Sequence, residues 1–446
     1  MDVEQGYEQE ILQAMEQMRI VDHHEHLRDP FLRELPYEVD LPYYLALNGY
    51  LGGEVCGSGL DWRLWPPDAW VAPPSGRFAY LNKPCARDES VQRWQEIKQG
   101  LAQVNNTITY RYIMLALREL YGFADEELTD DNWQALSSKI RAKSRNHPQW
   151  AVETLDKMKV TKVILDFCEA RYNDNLIQDE RLAQTVRMDM FVHGSLETVE
   201  SLARREIKSI DDYLLALNEH FESVVAAGVV AIKGGGPYGR PPYARVDKRV
   251  AARIFDTLRT KGPTGLSYEE MTPFRHYMLD RVCDHCAEYG LPFQIHVGPH
   301  GWMGPYPQWT PFTNPVNLSD LFQKHLQVTF DIFHGGYPFY RELGWLARTL
   351  PNVYADACWL HFLAPEVFRQ ALSEWVETVP ANKIFAWGGD HWMPVDHSFA
   401  TLLLGKKLVA QTMAGKVASG SLRMKTALEV TAKIMGENAL RVYSLG

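Results

Sequence analysis

The amino-acid sequence predicts a distorted (β/α)8 barrel, and three observations predict it. Eight short apolar runs recur along the chain, most of them nearly continuous, as strands buried on both faces of a parallel sheet are. Amphipathic helical stretches separate most of these runs. Residues able to hold a metal ion or move a proton stand at the C-terminal ends of several runs, the face on which barrels of this kind gather their chemistry.

The runs are Ile20–His24, Val163–Phe167, Val186–Phe191, Val229–Lys233, Phe293–Val297, Val328–Phe333, Val353–Ala357 and Ile384–Gly389. Helical patterns over Ser195–Arg205 and Ile210–Ala226 precede the fourth, Thr272–Tyr289 precedes the fifth and Pro365–Val376 precedes the eighth. Strand and helix alternating in this way argue for a parallel sheet closed on itself. The stretch from Phe399 to Leu445 reads as mostly helical and completes the barrel.

One gap breaks the rhythm. Between Leu27 and about Trp150 no strand is apparent. A Pro/Gly/Trp-rich tract (LGGEVCGSGL, WPPDAWVAPP) leads into helical segments at Thr109–Tyr121 and Asn132–Ala142, the second with Thr129 and Asp130 as nearby caps. Residues 1–26 and 150–446 are therefore expected to form the barrel. Residues 27–149 are expected to be a mostly helical insertion in the loop after the first strand. That loop lies on the catalytic face, so the insertion serves as a lid or pocket wall, or it is a helical layer that only packs.

Composition narrows the partners. A chain of 446 residues is long by the usual allowance of about 150 per domain, yet a barrel with insertions fills such a length as one. A net charge of −10 lacks the basic footprint of a nucleic-acid binder. Six cysteines do not make a disulfide scaffold in this length. The opening MDVEQGYEQE is acidic and polar, unlike a secretory signal, and no apolar run reaches 18 residues. The expectation is a cytoplasmic protein with no membrane or nucleic-acid partner that acts on a small molecule.

The sharpest local signal is VDHHEHL, Val21 to Leu27. Alternate strand residues point to one side, so His24 and His26 can converge on one metal ion. Imidazole suits zinc, iron, manganese or nickel. The pair alone is weak, because such spacings arise by chance. Lys233, His296, His334 and Asp390 then stand at or near the ends of the fourth, fifth, sixth and eighth runs. A single histidine there is more often a hydrogen-bonded structural residue. A whole set of ionisable groups buried with no cation is costly, so the set reads as a metal site.

Those residues, in that order, resemble the amidohydrolase superfamily, and within it the uronate-isomerase-like and amidohydrolase-2 branches. Asn105–Phe123 (NNTITYRYIMLALRELYGF) is similar to the helical insertion of that branch, as GVVAIKGGGPYGR is to its fourth-strand segment and IFAWGGDHW with ALEVTAKIMGENALRVYSL to its C-terminal end. The resemblance spans essentially the whole chain. It implies that His24, His26 and Asp390 ligate one divalent ion, zinc first, with iron or manganese as alternatives. His296 and His334 would ligate a second, or act as ligand and catalytic acid if only one binds. Lys233 matches a lysine that some relatives carboxylate to bridge two metals. Here it is carboxylated, neutral or turned away, since an ammonium beside a divalent cation is unfavourable. The family's usual AYR is GPYGR in this chain, so Tyr238 fits while Arg240 is displaced. Family members are often homo-oligomers, and the same is expected here.

A divalent cation lowers the pKa of its water from about 16 toward roughly 7 and polarises a carbonyl. Asp390 stands where a carboxylate can touch the ion, take the water's proton and return it to the leaving group. The expected reaction is hydrolysis of an amide, ester, lactone or thioester of a small organic acid. The alternative is isomerisation of a sugar acid, or non-oxidative decarboxylation of a sugar or aromatic acid, as uronate isomerases and decarboxylases of the superfamily carry out. Arg28, Arg171 and Arg240 follow the first, second and fourth runs and could hold a carboxylate or phosphate, though surface ion pairs explain single arginines as well. Tyr238, Trp302 and Trp392 complete the candidate substrate contacts, in loops that also carry His300, Trp309, Cys358, Trp359, His361 and His391. Other signals carry less. Cys283 and Cys286 form one CDHC without a second pair, Gly234–Gly236 lack a phosphate-loop pattern, and no GxSxG occurs. Asp189 and Asp356 are polar groups without an assigned role.

Overall fold

The structure, a computed structural model, describes residues 3–27, 39–59, 87–234, 242–262, 265–298, 310–391 and 394–446. Eight parallel strands pair in chain order. They are β1 (Ile20–Glu25), β2 (Val160–Asp166), β3 (Leu182–Arg187), β4 (Ala231–Gly234), β5 (Phe293–Ile295), β6 (Phe330–Ile332), β7 (Val353–Asp356) and β8 (Ile384–Phe385). With helices between them they make a distorted (β/α)8 barrel. Among the described residues β8 and β1 share no ladder. Two backbone bonds past the end of β8 join these edges instead: Asp390 N–H donates to His24 O (2.9 Å) and His26 N–H to His391 O (3.1 Å).

Side-chain alternation sorts the strands into two faces. In β2, Val163 and Leu165 join the large core under the helices, while Ile164 joins a separate cluster. That cluster unites Val21, Ile164, Ala231, Tyr354 and Phe385 with Ala439, Leu440, Tyr443 and Leu445. The C-terminal segment thus fills one end of the barrel's inside with apolar side chains, as the period of two requires. A polar layer lies next to it. Gln294 Nε2 donates to His23 O (3.2 Å) and Tyr443 Oη (2.9 Å), the Tyr443 hydroxyl bonds Asp331, and His23 Nε2 bonds Asp356 Oδ2 (2.8 Å).

Several boundaries differ from the sequence expectation. The third strand is Leu182–Arg187, displaced from the expected Val186–Phe191. It carries Gln184 and Thr185, which bond Asn173 and Ala231 O, so its apolar signature is weak. The tail of the expected run turns instead into a short helix, Asp189–His193. Thr129 and Asp130 do not cap helix Trp133–Ser144. Asn132 stands at its N-cap, and Asp130 accepts from Trp94 Nε1 (2.6 Å) and Lys98.

The described residues between β1 and β2 form six helices and no strand: Leu41–Leu47, Gly49–Gly57, Arg87–Val104, Ile108–Tyr121, Trp133–Ser144 and His147–Met158. Thr107 caps Ile108–Tyr121 by accepting from Tyr110 N–H, and Gly122 ends it in the left-handed region. Three of these helices reach the start of the long helix Val395–Ala418, just beyond β8. Tyr121 Oη (2.5 Å) and Trp150 Nε1 (3.3 Å) donate to Asp396, while Asn48 bonds both Tyr112 Oη (2.7 Å) and His397 Nδ1 (3.1 Å). All these groups are buried, so each would be costly to leave unpaired. No helix among the described residues is long and apolar enough to cross a membrane.

A second tie holds the helical layer elsewhere. Asp280, in helix Tyr268–Tyr289, accepts from Tyr243 Oη (2.6 Å), His325 Nε2 (2.8 Å) and Lys324 Nζ (2.8 Å). Burial raises its pKa, but these three partners outweigh burial and bring it down to about 2, from an ordinary 3.8. A carboxyl depressed on folding stabilises the fold above its unfolded pKa and loses that stabilisation as pH falls through the folded value. Asp280→Asn is expected to cost about 2 kcal/mol at pH 7. It should also flatten the acid dependence of stability between about pH 4 and 2. Urea melts of both proteins across that range check it: the gap must narrow on acidification, and a constant gap contradicts the assignment.

Candidate metal centre

The site is built at the C-terminal ends of the strands. His24 lies in β1 and His26 one residue past its end, Lys233 is the third residue of β4, His296 follows β5, His334 follows β6 and Asp390 lies beyond β8. The pairing register of β1 shifts between Asp22 and Glu25, so the expected simple alternation is interrupted there. His24 and His26 nevertheless converge. Each places Nε2 3.1 Å from Asp390 Oδ1, and His334 Nε2 lies 3.8 Å from Asp390 Oδ2. His296 packs beside His334, ring centres 4.3 Å apart. His334 and Asp390 both hold left-handed backbone, φ 63° and 55°, a conformation that costs about 1–3 kcal/mol outside glycine and clusters at functional sites.

Backbone carbonyls set two of the imidazoles. His26 Nδ1 bonds Asp166 O at 2.6 Å and His334 Nδ1 bonds Cys358 O at 3.2 Å. A carbonyl only accepts, so each Nδ1 carries a proton and each ring turns its Nε2 toward Asp390. Burial, with the Lys233 charge, holds His24 and His296 well below the ordinary histidine range, and burial takes His334 down to about 4. His26 is the exception. Burial lowers its pKa, but the neighbouring Cys168, Asp166 and Asp390 push it well up. For Asp390 burial acts upward and is outweighed by His24 and His26, which keep it ionised.

These residues fit a divalent cation. His24 Nε2 and His334 Nε2 are buried with no hydrogen-bond partner, and lone pairs gathered around a carboxylate repel one another unless a positive charge lies between them. Two sets of ligand atoms, each within 4.8 Å of one another, meet here: His24, His26 and Asp166, and His296, His334 and Asp390.

Lys233 is buried, and its Nζ makes no hydrogen bond but stands 3.3 Å above the Phe333 ring. Burial lowers its pKa to about 8, with Asp166 opposing and Arg187 assisting. Of the expected substrate contacts, Arg171 is exposed and directs Nη2 toward Ser201 O at 3.5 Å, so it does not join the histidines. Arg28, Tyr238, Arg240, Trp302 and Trp392 lie outside the described residues, as do His300 and Trp309.

The structure adds residues that the sequence reading left aside. Asp166, at the end of β2, accepts from Arg187 Nε (3.0 Å) and Nη2 (2.7 Å) at the end of β3. The ends of strands two and three were the available signal, and the displaced boundary of the third run hid Arg187. Cys168 brings Sγ to 3.6 Å from His26 Nδ1, and Trp359, named from its loop in the sequence, packs its ring 4.6 Å from His334.

Residues 161–445 match the Amidohydrolase family model. The chain belongs to the amidohydrolase family. Among solved structures, this amidohydrolase is similar to a glucuronate isomerase from Caulobacter crescentus, with 16% identity, a TM-score of 0.78, and coverage of 100% of this chain and 95% of that one. It is also similar to a Lactobacillus casei protein assigned as a metal-dependent hydrolase, with 17% identity, a TM-score of 0.64 and 96% of each chain covered. At such identities the likeness is one of fold. The protein fluG of Emericella nidulans is 30% identical over 159 residues, which cover 34% of this chain and 17% of that protein.

His24→Ala removes a ligand atom from the centre of the group. Elemental analysis of protein purified without chelators is expected to find a small fraction of the wild-type metal. Full metal content in that variant contradicts the first-strand ligand assignment.

Proposed function

We propose that this amidohydrolase is a metal-dependent hydrolase acting on an amide, ester, lactone or thioester of a small organic acid. The observation that carries the reading is the placement of Asp390, whose Oδ1 lies 3.1 Å from both His24 Nε2 and His26 Nε2 while Oδ2 faces His334. His24, His26 and Asp390, with His296 or His334, would hold the ion, zinc first. The cation supplies Lewis acidity toward water and the substrate carbonyl.

The chain's own residues do the rest. Asp390 Oδ1 is engaged by two imidazoles, which leaves Oδ2 to accept the proton of the attacking water and return it to the leaving group. His334 Nε2 faces that oxygen at 3.8 Å, as a further ligand atom to the ion would. His26 and His334, anchored by Asp166 O and Cys358 O, keep their rings from turning. Residues 27–149 are proposed as the helical insertion that walls the pocket. The support is the packing of Tyr112 and Phe362 against His391, ring centres 5.8 and 4.5 Å away.

A second reading is proton transfer between adjacent carbons of a sugar acid. The whole-length likeness in fold to the glucuronate isomerase favours it. Product analysis on lactones, thioesters, amides, uronates and aromatic acids separates the two. Hydrolysis with water uptake supports the first, whereas aldose–ketose conversion or CO2 release without hydrolysis overturns it. Asp390→Asn is expected to lower the rate about 10²- to 10⁴-fold with the circular dichroism spectrum unchanged. A rate near wild type rejects Asp390 as proton carrier.

A further inference from the structure

Two carboxylates of the first strand are left over once the histidines are used. Asp22 and Glu25 are buried in the same DHHEH segment that supplies His24 and His26, and neither belongs to the groups of ligand atoms that those histidines form. Both face the backbone of the turn that carries Asp390. Asp22 Oδ1 accepts from Gly389 N–H (2.9 Å), and Glu25 Oε2 accepts from His391 N–H (2.7 Å). The amide between them, that of Asp390, donates to His24 O (2.9 Å). Three consecutive amides of one turn are thus held by three residues of one strand. Ser398, in the helix after the turn, donates to Glu25 Oε1 at 2.5 Å and holds that carboxylate in place. There is no slack in the arrangement: a Cβ on Gly389 would lie 1.6 Å from Glu25 Oε1 and 3.1 Å from Asp22 Oδ2.

Asp390 needs such a hold, because its φ of 55° is one that a non-glycine residue leaves unless its surroundings forbid it. We infer that Asp22 and Glu25 are positioning residues that pin the Gly389–His391 turn and so keep the Asp390 carboxylate in reach of His24, His26 and His334. The strand has two duties. Its histidines face the ion, and its carboxylates fix the ligand that arrives from the opposite end of the chain.

This inference rests on the metal reading above, and its test keeps the two apart. Zinc affinity is measured by competition with a chromophoric chelator for wild type, Glu25→Gln, Asp22→Ala and Ser398→Ala, beside thermal melts of the zinc-free proteins. A glutamine offers one acceptor where Glu25 serves two donors, so Glu25→Gln should bind zinc about 10- to 100-fold more weakly, as losing a partner behind a ligand does. Asp22→Ala should fall in the same range. Ser398→Ala removes one hydrogen bond from the carboxylate without touching the turn, and should weaken zinc about 2- to 10-fold. It serves as the test if the carboxylate variants do not fold. A merely structural role lowers the melting temperature and leaves the zinc affinity where wild type has it. That result, in every variant that folds, overturns the inference. Failure of the wild type to take up zinc, iron or manganese overturns the metal reading itself and this inference with it.

Discussion

The site depends on the junction between the two ends of the barrel sheet. Among the described residues no ladder joins β8 to β1, and what closes the gap is the turn around Asp390 lying against the DHHEH segment. The same contact that shuts the barrel brings a carboxylate from the far end of the chain onto two imidazoles from its start. Closure of the sheet and assembly of the site therefore draw on the same contacts.

That junction gathers charge in a place that tolerates it poorly. His24, His26, His296, His334, Lys233, Asp166 and Asp390 are all buried. Desolvation drives three of the four imidazoles to their neutral, ligand-ready form, while contacts among the groups hold both carboxylates ionised. Neutral ring nitrogens aimed at an ionised carboxylate form an arrangement that a cation completes. The ion pair with Arg187 keeps the Asp166 carboxylate ionised beside His26. The polar layer of Gln294, His23, Asp331 and Asp356 extends this ionisable interior toward Tyr443.

Much of this was legible in the sequence, for physical reasons that differ from residue to residue. Runs such as Val229–Lys233 and Ile384–Gly389 are nearly continuous in apolar residues, and that character announced β4 and β8. The third strand did not, because Gln184 and Thr185, on its two opposite faces, bond Asn173 O and Ala231 O in place of apolar packing. The ligand-type residues stood out since histidine and aspartate have no other reason to recur at the ends of apolar runs. Arg187 was missed with its strand boundary. The roles inferred for Asp22 and Glu25 depend on a turn 367 and 366 residues away and on a register shift in β1. Neither is written in local spacing. The orientation of Arg171 toward Ser201 is likewise a matter of tertiary packing, which a position after a strand does not reveal.

The central claim is that imidazoles and Asp390 share one divalent cation. X-ray absorption spectroscopy of the zinc-loaded protein tests it most directly. The account predicts a first shell of nitrogen and oxygen at about 2.0–2.1 Å, with outer-shell scattering from at least two imidazole rings. A sulfur shell at about 2.3 Å, drawn from Cys168 or Cys358, or a shell of water alone, would contradict it.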